Sequence, residues 1–236
     1  MPDLSALHRR RLREVWRSAG WPFQDLIEVE LLAAGLLQRV RDAAGRETVR
    51  VTDAGVAVLA ATLQKNRAAR DAHEALVAHV ATEMQRAGRV VWRGLSLRAQ
   101  VDQGEAAAWV VAMPDVFSIR HTTVEDYVEP VVHEIKVRRA DLLADLRRPA
   151  KGEAYRQMAS ECWYVLKAGI GSPSDIPEVY GVMQDGTAGV LEVLRPAPRR
   201  AMKLPFAAWM ALARAAPVAG HEDDPPQQLL GGEEAV

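Results

Sequence analysis

Two apolar runs in the second half of the chain carry charges that an ordinary buried strand excludes. Residues 108–119 read Ala-Trp-Val-Val-Ala-Met-Pro-Asp-Val-Phe-Ser-Ile and residues 130–137 read Pro-Val-Val-His-Glu-Ile-Lys-Val. Both read as buried strands, yet they hold Asp115, Glu134 and Lys136. Side chains alternate between the faces of a strand, so Glu134 and Lys136 share one face while His133, Ile135 and Val137 take the other. Ionised groups amid valines are costly to bury unless they pair or bind a metal, so this placement asks for a chemical reason.

The 236 residues are 49% hydrophobic and 26% charged, the makeup of a globular chain with room for one large core or two smaller ones. The N-terminal residues lack the apolar centre of a signal peptide and no stretch reaches about 18 apolar residues, so the expected location is cytoplasmic, with no membrane partner. Cys162 is the single cysteine, which removes intrachain disulfides and thiolate zinc clusters and leaves it a packing role. The net charge of −1 hides a segregation. Arg9, Arg10, Arg11, Arg13 and Arg17 cluster near the start, and Arg138, Arg139, Arg147, Arg148, Lys151 and Arg156 cluster after the second run. The tail from His221 holds five acids and no base, and its composition predicts an unstructured segment.

Periodicity predicts a helix over Leu4 to Ser18 and a second over Phe23 to Ala34, with Gly35 at its C-cap. A hairpin is expected from Leu36 to Val40 and Thr48 to Val51. Residues 53–87 read as helical throughout, and the charged, weakly apolar stretch from Gln64 to Arg70 marks the expected domain boundary. Strands follow at Arg89 to Leu97, Ala108 to Ile119, Pro130 to Val137, Glu161 to Lys167, Glu178 to Met183 and Gly189 to Leu194, with helices at Arg139 to Met158 and Leu204 to Ala215. That order of one helix, a three-strand meander, a helix and more strands predicts an α/β core. Trp92, Trp109 and Trp163 fall in strand runs and are expected in the core rather than as base-stacking platforms.

Met-Pro-Asp115 followed by Glu134-Ile135-Lys136 resembles the PD-(D/E)xK nuclease superfamily. Within it the chain is most similar to the MmcB-like DNA repair family, through Pro-Asp-Val, Glu-Ile-Lys, the Arg-Arg-Ala-Asp-Leu-Leu-Ala-Asp segment after Lys136, Glu-Cys-Trp-Tyr-Val-Leu and Val-Leu-Glu-Val, over about residues 70–195. The stretch 5–62 resembles the end of a winged-helix domain. The resemblances imply a restriction-endonuclease-like core, a mixed central sheet flanked by helices, preceded by a small winged-helix-like domain. Expected boundaries are 1–65, 66–216 and a 217–236 acidic tail.

The implied activity is metal-dependent hydrolysis of DNA, in repair or restriction. Asp115, Glu134 and the backbone carbonyl of Ile135 would hold Mg2+ or Mn2+, and Lys136 would orient or help deprotonate the attacking water. A lysine is informative because 25 of the 30 basic residues are arginine, which cannot accept a proton. Glu74 matches the superfamily's helical glutamate and would hold a water or second metal; its bland reading is a solvated helix acid. Tyr155 and Gln157 lie where some members place a polar residue on the helix after the lysine. His73, His121 and His133 have no metal-ligand spacing and read as packing or surface residues.

Arg138, Arg139, Arg147, Arg148, Lys151 and Arg156 are candidates to track a DNA backbone, or else form a solvated face paired with Asp141, Asp145 and Glu153. In the N-terminal domain Asp25, Glu28 and Glu30 would repel phosphates, which makes a homodimer or protein-partner contact as good a reading as groove recognition. A catalytically inactive nuclease fold that binds DNA, and a protein-interaction subunit, stay open beside the nuclease reading.

Overall fold

The computed structural model describes residues 4–18, 20–102, 107–186 and 189–219, in two compact units that divide after Arg70. The first comprises α1 (Ala6–Arg17), α2 (Leu26–Ala33), the antiparallel hairpin β1 (Leu37–Arg41) and β2 (Glu47–Val51), and the start of α3 (Asp53–Arg86). Leu12, Val15, Leu31, Leu36, Leu37 and Val49 form its core. The second helix starts at Leu26 rather than Phe23 because Asp25 is its N-cap, accepting a bond from the Glu28 N–H. The acids expected to repel phosphate have structural partners. Arg11 forks onto Asp25 at 2.8 and 2.7 Å, buried Glu28 accepts from the Phe23 N–H at 2.5 Å, and Glu30 meets His8 at 2.6 Å. Helix α3 is unbroken across Gln64 to Arg70, as propensity predicted, and the division between units falls within it.

The second unit is an α/β core around a six-stranded mixed sheet in the order β10-β9-β8-β7-β6-β3. These strands are β3 (Arg89–Arg93), β6 (Val116–Arg120), β7 (Val131–Lys136), β8 (Glu161–Lys167), β9 (Gly181–Asp185) and β10 (Leu191–Arg195). β7, β8 and β9 run parallel, and the remaining pairs are antiparallel. On one face Leu76, Val77, Val80 and Ala81 of α3 pack on Val91, Val116, Ile135 and Val165. The other face, through Phe117, Val132 and Cys162, packs on α5 (Pro149–Met158) and α6 (Phe206–Arg214). Gly181 is opposite Trp163, whose ring would lie 2.3 Å from an added Cβ. Cys162 is buried, and burial pushes its thiol up to about 12.

Two expected strands are each divided. The run 108–119 gives β5 (Ala107–Ala112) and β6, and the run from Arg89 gives β3 and β4 (Leu97–Asp102). β4 and β5 pair with each other as a separate two-stranded sheet, so β3 pairs with β6 and the expected three-strand meander is interrupted by a hairpin. The breaks are chemical. Pro114 has no N–H for a ladder, and Gly94 takes a positive φ of 59° while its N–H bonds the Asp115 carbonyl at 3.2 Å. Trp109, expected in the core, is 65% exposed on the hairpin, whereas Trp92 and Trp163 are buried.

The single helix expected over Arg139 to Met158 is two, α4 (Arg139–Leu146) and α5, divided at Arg147 and Arg148 before Pro149, which sits at the first helical position. Ahead of the acidic stretch the chain is tied to the second unit: the Val218 N–H bonds the Val91 carbonyl at 2.7 Å, and Gln85 donates to the Val218 and Ala219 carbonyls. Val91 lies on the edge strand β3, whose exposed backbone groups need partners. The acidic residues from Gly220 onward lie outside the described residues.

His133 faces α3 in the middle of β7, 1% exposed, and its Nδ1 has no hydrogen-bond partner among the described residues. Burial, with Arg89 adding to it, lowers its pKa from 6.5 to about 3. The folded protein therefore rejects a proton that the unfolded chain accepts, so this contribution is full above about pH 6.5 and is lost as pH falls toward 3. Between pH 7 and pH 5 the lost contribution is about 2 kcal/mol. Urea denaturation at the two pH values is expected to show a loss larger by that amount in wild type than in His133→Gln.

Candidate active site

Three sequence-predicted residues meet where β7 runs past the start of β6. Pairing of these strands ends at Val116 opposite His133, so Glu134, Ile135 and Lys136 extend beyond it, and Asp115 occupies the gap. The Asp115 Oδ2 accepts from the Ile135 N–H at 2.7 Å. In a strand a residue's N–H and C=O point to the same edge, so the Ile135 carbonyl also faces this gap. Burial, and then the neighbouring Glu134 charge, hold the Asp115 carboxyl above the ordinary carboxylate range, against opposing effects of the Ile135 N–H, His73 and Lys136.

Glu134 and Lys136 do share a face, and they bond: Nζ of Lys136 lies 2.5 Å from Oε1 of Glu134, with both side chains nearly buried. The same oxygen receives Lys151 Nζ at 2.5 Å, and Oε2 accepts the Tyr155 hydroxyl at 2.8 Å. Lys151 and Tyr155 are four residues apart on α5 and so point to one side of it. Asp145, near the end of α4, completes the cluster. It accepts from Lys151 at 2.8 Å and from the Tyr164 hydroxyl at 2.9 Å, and lies 3.8 Å from Lys136. Parallel register sets Tyr164 beside Glu134.

Burial opposes ionisation of both Asp145 and Lys151, but ion pairing outweighs it. Lys136 and Lys151 hold Asp145 below its usual range, and Glu134 and Asp145 hold Lys151 above its own. Burial and the adjacent Glu134 keep the Tyr155 hydroxyl protonated by raising its pKa, and burial with Asp145 does the same for Tyr164. Both tyrosines are therefore fixed donors.

The other predicted residues separate. Glu74 is largely exposed and accepts from Arg93 at 2.9 Å, while its neighbour His73 reaches Asp115, Nε2 to Oδ1 at 3.4 Å. Lys151, expected on a DNA track, belongs to the Glu134 cluster. Arg139 forks onto Asp175 at 3.1 and 2.9 Å and Arg156 pairs with Glu153. Arg147 bonds the Leu143 carbonyl at 3.1 Å; with Arg148 it lies at the turn between α4 and α5, while Arg138 is the N-cap of α4. Asp145, expected to pair on a solvated face, and His73, expected as a packing or surface residue, both join the site, as does Tyr164, which the sequence did not single out. The resemblance had marked Tyr155 as a polar residue on the helix after Lys136, and Lys151 had been expected on a DNA track; the structure brings both onto Glu134.

Two desolvated, mutually repelling carboxylates beside an edge-facing carbonyl have the donor chemistry that a hard divalent cation takes. Among the described residues no three His, Cys, Asp or Glu side chains form a ready-made metal group, so such an ion would need the Ile135 carbonyl and water oxygens as well. Comparison with family models, curated proteins and solved structures returns no match. No helix among the described residues is long and apolar enough to cross a membrane.

Tyr155→Phe removes one bond to a buried carboxylate and is expected to lower unfolding stability by about 1.5–3 kcal/mol. Asp145→Ala, which strips the second partner of Lys151 and leaves Tyr164 unsatisfied, is expected to cost more. Urea melts of the two variants check the order.

Proposed function

We propose that the protein is a metal-dependent deoxyribonuclease with a PD-(D/E)xK-type site, acting in DNA repair or restriction. The observation that carries this reading is the convergence of Asp115 with the Glu134–Lys136 pair in the gap beside the start of β6, a costly grouping of buried charge with no evident packing benefit. A restriction-endonuclease-like core is the fold this reading assigns to the six-stranded sheet, and the first unit is read as winged-helix-like.

Asp115, Glu134 and the Ile135 carbonyl are the groups that would hold Mg2+ or Mn2+, which when bound supplies positive charge at the phosphate and acidifies a water. The protein's own residues do the rest. Lys136 orients the nucleophilic water beside the phosphate and stabilises the charge that builds as the water oxygen bonds to phosphorus and the bond to the departing sugar oxygen breaks, the water's proton passing to solvent and the leaving oxygen taking one from solvent. Lys151 shares Glu134 with Lys136, so Glu134 keeps a partner and its orientation when Lys136 turns toward substrate. Tyr155 fixes the second oxygen of Glu134, and Asp145 with Tyr164 fixes Lys151. The Ile135 N–H holds Asp115 in the gap. Arg147 and Arg148, without carboxylate partners among the described residues, are the remaining cations placed to meet a DNA backbone.

Plasmid incubated with Mg2+ or Mn2+ is expected to be cut by wild type, with Asp115→Asn and Lys136→Ala reducing the rate on the order of 10²-fold or more. Equal activity in wild type and Asp115→Asn, or no cleavage with either metal, would falsify the assignment.

For the first unit, a protein contact is favoured by exposed apolar side chains around α2: Trp21 (71%), Phe23 (48%), Leu26 (70%) and Val29 (53%). Its occupant is read as a second copy or another protein rather than a DNA groove. Light scattering is expected to show self-association that Leu26→Glu abolishes; a wild type monomeric at all concentrations points to a different protein.

A further inference from the structure

We propose that the outward face of the β4–β5 hairpin binds single-stranded nucleic acid, with Trp109 stacking on a base and Arg98 holding the adjoining phosphate, and that it leads the strand to Asp115. The inference rests on the nuclease reading and names its substrate form. The hairpin has one buried face, Leu97, Ala99, Val101 and Ala112, packed in the core with α5 and α6. Alternation then obliges the other face to point away from that core. On β5 it presents Trp109 and Val111, 65% and 53% exposed, and Met113 follows at 55%.

This face differs from a solvated strand edge in three ways. A tryptophan left two-thirds exposed keeps a large apolar ring in water, which marks contact surfaces rather than packing. The register sets Gln100 directly opposite Trp109 and Arg98 opposite Val111, so Arg98 lies diagonal to Trp109 on the same face. Arg98 is exposed and has no carboxylate partner among the described residues, unlike Arg93, Arg120, Arg139, Arg156 and Arg199. An aromatic ring flanked by an amide and an uncommitted guanidinium is the chemistry of base stacking with phosphate capture.

The face also leads to the candidate active site. Trp109, Val111 and Met113 are exposed in succession, and Asp115 follows two residues later along the chain, across the break at Pro114. At the rise of a strand, six residues span at most about 20 Å, the length of a few nucleotides. A duplex keeps its bases stacked on each other and offers no free π-face to a ring on a flat ribbon. Single-stranded or locally opened DNA does.

The test measures binding apart from cleavage. Fluorescence anisotropy in EDTA compares a labelled oligothymidylate of about twenty nucleotides with a duplex of equal length. Wild type is expected to prefer the single strand. Trp109→Ala should weaken that binding about 5- to 100-fold and Trp109→Phe should restore most of it. Arg98→Ala should weaken it and reduce the salt slope by about 0.7, the share of one phosphate contact. Trp109 is exposed, so the variants should fold as wild type, which circular dichroism verifies. Unchanged oligothymidylate binding by Trp109→Ala, or a duplex preference in wild type, overturns the proposal. So does a wild-type dimer that Trp109→Ala converts to monomer without loss of binding, since a second copy would then cover the face. The underlying reading fails separately: no plasmid cleavage by wild type removes the nuclease reading, and an Asp115→Asn that cuts like wild type removes the site, while oligothymidylate binding lost on Trp109→Ala would leave the platform standing.

Discussion

Glu134 is a nearly buried carboxylate on a central strand, and the polar cluster between β7, α4 and α5 is built around it. Lys136, Lys151 and Tyr155 converge on its two oxygens, and Asp145 and Tyr164 hold Lys151 in turn. A lone charge at this depth would be strongly destabilising, and the pairings here offset that only as a set. Helix geometry is subordinate to the same requirement. A continuous helix from Arg139 would carry Lys151 and Tyr155 along the axis of α4; the break before Pro149 lets α5 take its own direction, so that both side chains reach the strand.

A second break performs a comparable role on the neighbouring strand. Pro114 ends the run that began at Ala107, and the chain changes sheet there. Ending the ladder at Val116 leaves Ile135 with a backbone N–H and carbonyl facing open space, and Asp115 takes the N–H. The same change of sheet releases the hairpin that displays Trp109. One proline thus both creates the polar gap and exposes the apolar face beside it.

Much of this was readable in the residues. Glu134 and Lys136 share a face because strand periodicity is local, and the helix over 53–86 follows from propensity and the absence of proline. Other points were not readable. Trp109 and Trp92 lie in similar apolar runs, yet one is exposed and the other buried, because burial depends on which sheet the strand joins. Asp145 resembles any helix acid until α4 and α5 pack beside β7. Glu74 was the stronger candidate by resemblance, but a helix advances about 100° per residue, and the rotation of α3 turns His73 toward Asp115 and gives Glu74 to Arg93.

By itself the sequence determined the alternation of helical and strand segments, the shared face of Glu134 and Lys136, and the presence of an acid in the preceding strand run. These depend on short-range periodicity, on proline and glycine chemistry, and on the cost of burying charge. Only the tertiary structure decided that a second lysine and two tyrosines complete the cluster, that the strands divide between two sheets, and that His73 rather than Glu74 faces Asp115. Those outcomes depend on strand register and helix rotation, which arise from contacts between residues far apart in the chain.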